Sequence, residues 1–176
     1  MTSLRSRAGA LCAALLISIP LAAAAPASAQ MGQDARFVRH AAEGGMAEVR
    51  MARLALSRTT DPMVRAFARR MLHDHIPNNA QLAAIARSEN RRLPSGVGAA
   101  NAAVMARLEA LSGRAFDRAY IRAQIPAHEQ MLALLQNEIS SGSDPRLVSF
   151  ARTTVPIVRE HLALARRDAG MIASGM

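Results

Sequence analysis

Lysine and tryptophan are absent from this sequence, aromatic residues make up 3% of it, and there is one cysteine, Cys12. Each absence narrows the field. Beyond Cys12 the chain has no thiolate for catalysis, metal ligation or a disulfide. The shortage of aromatics disfavours sheets, whereas the abundant Ala, Leu, Met, Ile and Val suit packed helices. Without Lys, all 22 basic residues are Arg. That points to codon bias toward GC-rich DNA, so the net charge of +9 is discounted as a functional signal. A nucleic-acid binder gathers its charge on one element with aromatics interleaved. Here Arg is scattered, commonly near Asp or Glu, as on solvated helix faces. No nucleic-acid partner is expected, while an envelope protein or an anionic membrane surface stays open as a partner. The nucleophile-elbow, P-loop and dinucleotide motifs are also missing.

What is present begins with an export signal. Arg5 and Arg7 precede an apolar stretch from Ala8 to Ala25, and Ala27-Ser28-Ala29 reads as a cleavage site. Residues 1–29 are therefore expected to be a signal peptide cut after Ala29, leaving a periplasmic or secreted chain. Pro20 and Pro26 interrupt the run, which argues against a retained anchor. Leu11 before Cys12 argues against lipidation. No later segment has the roughly 20 apolar residues needed to span a bilayer.

Capping residues divide the remainder. Asp34 is expected to cap a first helix to about Arg58. Asp61-Pro62 opens a second, to about Arg92, because Asp caps well and Pro fits the first helical turn. A Pro94–Ala100 loop leads to a short helix over 101–111. A third long helix is expected over 115–141. Asp144-Pro145 opens a fourth, to about Ala169. Residues 61–69, D-P-M-V-R-A-F-A-R, resemble residues 144–152, D-P-R-L-V-S-F-A-R. Two similar hairpins joined by a crossover with a short helix predict an all-α, ferritin-like four-helix bundle over residues 30–172, with a disordered tail at 173–176.

Steps of three and four residues give each long helix an apolar stripe. Each stripe holds one potential ligand: Glu48, His75, His128 and His161. A carboxylate or imidazole in a bundle core loses hydration and needs a partner. Together these four would suit a divalent metal such as zinc, iron, manganese or copper. Asp74, Asp117, Glu129 and Glu160 are candidates to orient the ligands from behind. The bland alternative is structural pairing of each polar group. The paired Glu-x-x-His motifs of di-iron carboxylate proteins are missing, which disfavours an oxygen-activating or iron-storage role. Pro77, Pro126 and Pro156 fall inside long helices, where they tend to kink the backbone, either as tolerated bends with no function or so as to widen a pocket near the histidines. Met residues lack M-x-x-M spacing and read as core filler.

Asp34-x-x-Phe37, Ala41-Ala42-x-Gly44-Gly45-x-x-Glu48, Phe67-Ala68-x-x-Met71-x-x-Asp74-His75, Leu93-Pro94, Gly113-x-x-Phe116-Asp117-x-x-Tyr120, His128, Phe150-Ala151 and His161-Leu162 together resemble the bacterial domain-of-unknown-function family 4142 over residues 32–168. The resemblance implies an exported ferritin-like bundle and makes Glu48, His75, His128 and His161 family-pattern positions. It implies no established activity. The leading expectation is an exported bundle that binds a divalent metal or a small ligand in its core, with a redox or stress-protective role following from an envelope location. The alternative is a non-catalytic envelope interaction protein with structural core histidines, and whether the chain is an enzyme stays open.

Overall fold

The computed structural model describes residues 27–174, and side chains from residue 32 onward. Apart from residues 27–29, the expected signal peptide lies outside the described residues, as do tail residues 175–176. The chain forms α1 (Ala27–Arg58), α2 (Pro62–Ser88), α3 (Ala99–Glu109), α4 (Gly113–Ser141) and α5 (Pro145–Ser174). Hairpin α1–α2 packs beside hairpin α4–α5, and α3 lies in the crossover against α1 and α4. Among the described residues no helix is long and apolar enough to cross a membrane.

The two Asp-Pro caps form as their chemistry requires. Asp61 accepts from the backbone N–H of Met63 at 2.8 Å and of Val64 at 3.1 Å, and Asp144 accepts from Arg146 N–H at 2.8 Å. Such caps contribute about 1 kcal/mol each. Arg58 closes the other end of the crossover helix by donating to the carbonyls of Glu109 (2.5 Å) and Leu111 (2.8 Å). Gly98, just before α3, has φ +78°, where a side chain would be strained and would also press on Glu43.

Some boundaries differ from expectation. Asp34 does not cap α1. It lies inside the helix, buried, and accepts from Ser143 N–H (2.9 Å) and Ser143 Oγ (2.6 Å) in the α4–α5 turn. α2 ends at Ser88, because Glu89 and Asn90 turn away and Asn90 takes a positive φ of 54°. α5 continues past Ala169 to Ser174, taking in two residues of the expected tail. The three internal prolines stay within continuous helices, and all three are exposed, so the carbonyls they leave unbonded can face water.

The core has two apolar clusters. One gathers Met51, Phe67, Met71, Phe116, Tyr120 and Ile121, and the other Phe37, Leu82, Leu135, Leu147 and Phe150. Edge-on aromatic pairs anchor both, Phe67–Tyr120 at 5.9 Å and Phe37–Phe150 at 6.2 Å. Along α1 and α5 the chain passes from the Phe37 cluster to the Phe67 cluster; along α2 and α4 it passes the other way. Hence α2 and α4 run parallel, and the crossover must travel the length of the bundle, the arrangement of ferritin-like folds. On α2, α4 and α5 the change of cluster falls at a buried histidine, His75, His128 or His161; on α1 it falls between Ala42 and Met46, just before the buried Glu48. The bundle is two apolar halves separated by one polar layer.

Candidate metal centre

Three of those polar residues meet. His75 comes from α2, His128 from α4 and His161 from α5, all buried. One ring nitrogen of each lies within 4.8 Å of one from each of the other two. The ring centroids are 5.2 Å apart for His75–His161, 5.3 Å for His128–His161 and 6.0 Å for His75–His128.

Hydrogen bonds behind two of the rings decide which nitrogen carries the proton. His128 Nδ1 is 2.8 Å from the Gln124 carbonyl oxygen. A carbonyl only accepts, so Nδ1 holds the hydrogen and Nε2 is left with a lone pair. His161 Nε2 is 2.9 Å from Asp74 Oδ2. Burial pushes the Asp74 carboxyl up, but hydrogen bonds from Arg70, His161 and His73 outweigh it and hold the group below its ordinary range. It is therefore an anionic acceptor, and His161 keeps its hydrogen on Nε2 and its lone pair on Nδ1. His128 Nε2, His161 Nδ1 and His75 Nε2 are all buried without a hydrogen-bond partner.

Two of the rings, His75 and His161, are also kept neutral. Burial, then the neighbouring His161 and His128, lowers His75 from 6.5 to about 3 against the opposing pull of Asp74. Burial lowers His161 as well, opposed chiefly by Asp74. Near neutral pH His75 and His161 are thus uncharged imidazoles, the form that binds transition metals.

The other expected residues fall elsewhere. Glu48, on α1, borders the layer but lies outside the converging nitrogens. Its Oε2 is buried without a partner, and burial raises its pKa, with His128 and the nearby Gln124 amide opposing. Asp74 does stand behind His161, and is itself held by Arg70, which donates on to Glu160 at 2.9 Å. Glu160 reaches the site only through that chain. Glu129 faces solvent and pairs with Arg166 at 2.6 Å. Asp117 is buried, but eleven residues before His128 it stands roughly 16 Å away along α4. Gln124, absent from the sequence expectation, matters through its backbone carbonyl and its wholly buried side chain. Its position four residues before His128, on the same face, was the available signal.

Beside the layer is a cavity of about 450 Å³, with Glu48, His75 and His128 among its lining residues. A ferritin-like bundle of two hairpins with three buried imidazoles at its midpoint is the class that fold and site define. The chain belongs to the family described as domain of unknown function DUF4142, whose profile matches residues 20–167. No curated protein matches it. Two solved structures share the fold. A DUF305 protein from Streptomyces coelicolor, described as a candidate secreted protein, matches with TM-score 0.66 and 18% identity, over 76% of this chain and 88% of that one. A DUF305 fragment from Deinococcus radiodurans matches with TM-score 0.69 and 19% identity, over 81% and 96%.

Proposed function

We propose that this chain is an exported protein that binds one divalent transition-metal ion through His75, His128 and His161. The carrying observation is that three buried histidines bring ring nitrogens within 4.8 Å of one another, and each has a buried ring nitrogen with no partner among the described residues, which on two of them hydrogen bonds from behind fix as an acceptor. Leaving such groups unmatched is costly, and a metal ion satisfies all three together. Three imidazoles suit zinc, copper or iron better than manganese, which prefers oxygen donors. Asp74 and the Gln124 carbonyl then orient the ligands, and Glu48 borders the side left open. Export is supported by the Ala27-Ser28-Ala29 motif after an apolar run, and by the description of the Streptomyces relative as secreted.

The test is elemental analysis of the mature protein, purified without a polyhistidine tag, beside the His75→Ala, His128→Ala double variant. The expected result is near-stoichiometric metal in the parent and none in the variant. No metal in either, with thermal stability unmoved by added zinc, iron, manganese or copper, would leave the other reading, a non-catalytic envelope interaction protein with structural core histidines.

A further inference from the structure

The cavity beside the histidine layer differs in charge from the rest of the molecule. The protein carries 22 Arg and a net charge of +9, yet among the described residues no Arg lines this cavity. Its ionisable lining groups are Glu43, Glu48, His40, His75 and His128. These are graded by depth. His40 (51% exposed side chain) and Glu43 (22%) stand at the outside, 3.4 Å apart on successive turns of α1. Glu48 (5%), His75 (7%) and His128 (2%) stand inside. Between them the walls are small or apolar, including Gly44, Ala127, Met131 and Leu134. The volume, about 450 Å³, is many times the ~30 Å³ that one water occupies in the liquid, so a hydrated ion fits.

The approach past His161, which is not among the cavity's lining residues, is guarded. On that side the Arg70 guanidinium sits on Asp74 and is anchored by Glu160. A cation coming that way meets a fixed positive charge before it meets a ligand. A cavity lined by carboxylates in apolar walls instead concentrates cations at its mouth.

We infer that this cavity is the inlet through which a hydrated divalent cation reaches His75, His128 and His161, with Glu43 as a transient outer site and Glu48 as an inner one. The inference rests on the metal reading above. Glu48 supplies the second, independent mark of a ligand: a buried carboxylate oxygen with no partner among the described residues, in the cavity wall with His75 and His128. Glu43 has a competing role, since it lies against the start of α3 at Gly98, and packing there would give it no part in ion movement.

A passage residue and a ligand leave different kinetic signatures. A residue used only in passage changes the rates of binding and release by the same factor and leaves the dissociation constant alone. Cobalt(II) uptake by the metal-free protein, followed by stopped-flow absorbance, and cobalt release to a chelator give both rates. Glu43→Gln is expected to slow both by about threefold to tenfold at low ionic strength, with the dissociation constant unchanged within about twofold. Glu43→Asp should restore the parent rates. Glu129→Gln, which removes an equal charge from the outer surface, should alter neither rate. Raising the salt should shrink the Glu43→Gln effect by screening. Parent-like rates in Glu43→Gln would overturn the inlet while leaving the metal site standing. So would a weakened equilibrium affinity with an unchanged uptake rate, which would make Glu43 a ligand. A parent protein that binds no cobalt at all would overturn both readings.

Discussion

Two buried polar regions of this bundle meet the cost of burial in different ways. At one end, Asp34 from α1 is sealed inside, and Ser143 N–H, Ser143 Oγ and Arg91 (3.5 Å) all donate to it. Its neighbour Glu138 takes one long bond from Gln33 at 3.4 Å and leaves its other oxygen without a partner. Burial, reinforced by the Asp34 charge, raises Glu138 from 4.5 to about 7, so it can stay neutral by keeping a proton. At the carboxylate end donors from the chain thus hold Asp34, and Glu138 can meet its burial by keeping a proton. The imidazole layer is not satisfied in this way. Burial holds His75 and His161 below the ordinary histidine range, and what remains on each of the three rings is a lone pair that only a proton or a metal ion can use. Burial and the neighbouring rings disfavour the proton on His75. A buried polar group completed by its own chain holds the fold together, whereas one left incomplete marks where something from outside belongs.

That contrast can be broken by experiment. The largest effect should be the loss of bound metal in the His75→Ala, His128→Ala variant. Next is Asp74→Asn. An amide can donate to His161 Nε2, so the carboxylate no longer dictates which ring nitrogen is free. Zinc affinity by competition titration should fall about 10–100-fold, while the circular dichroism spectrum stays that of the parent. At the other end the pattern reverses. Asp34→Ala leaves the donors of Ser143 and Arg91 unmatched and should cost about 1–3 kcal/mol in urea unfolding, with metal affinity unchanged. If Asp34→Ala weakened metal binding as much as Asp74→Asn, the two regions would not be separate.

The smallest effects concern pH, and they have opposite signs at the two regions. Glu138 has a folded pKa above its ordinary 4.5, so its contribution is fully present below pH 4.5 and is lost as pH rises through about 7. Glu138→Gln should flatten stability across that interval relative to the parent. His75 has a folded pKa below its ordinary 6.5, so its contribution is present above pH 6.5 and is lost as pH falls toward about 3. Metal-free His75→Gln should therefore lose less stability on acidification than metal-free parent. Unfolding midpoints at a series of pH values, with a chelator present, read both.

Much of the fold was legible because local chemistry dictates it. The Asp61-Pro62 and Asp144-Pro145 caps act through neighbours two or three residues away, and the periodic apolar stripes say which face of each helix is inward. The stripes placed His75, His128 and His161 on inward faces, and their meeting adds what the stripes alone did not require, a common level near the middle of three packed helices. What was hidden depends on contacts far apart in the chain. Asp34 carries the chemistry of a cap, and only its approach to Ser143, more than a hundred residues on, turns it into a core acceptor. Asp74 and Glu129 each adjoin a stripe histidine, yet one faces a neighbouring helix and the other faces water. Adjacency in sequence places a residue about 100° round the helix without saying what lies there. Glu48 was grouped with the histidines because its stripe position matches theirs, but a shared level is a weaker condition than converging donor atoms.

The placement of the three histidines on the chain has a further consequence. His75 belongs to the first hairpin, and His128 and His161 to the second, so neither hairpin contains the whole cluster. Cleaving the connection between α2 and α3 would give two fragments, one with a single imidazole of the set and one with two. A signal from an ion held by all three would then appear only on reassembly, and would report that the halves had found each other in the correct alignment. The histidine layer is, in that sense, a built-in proofreader of how the two halves fit.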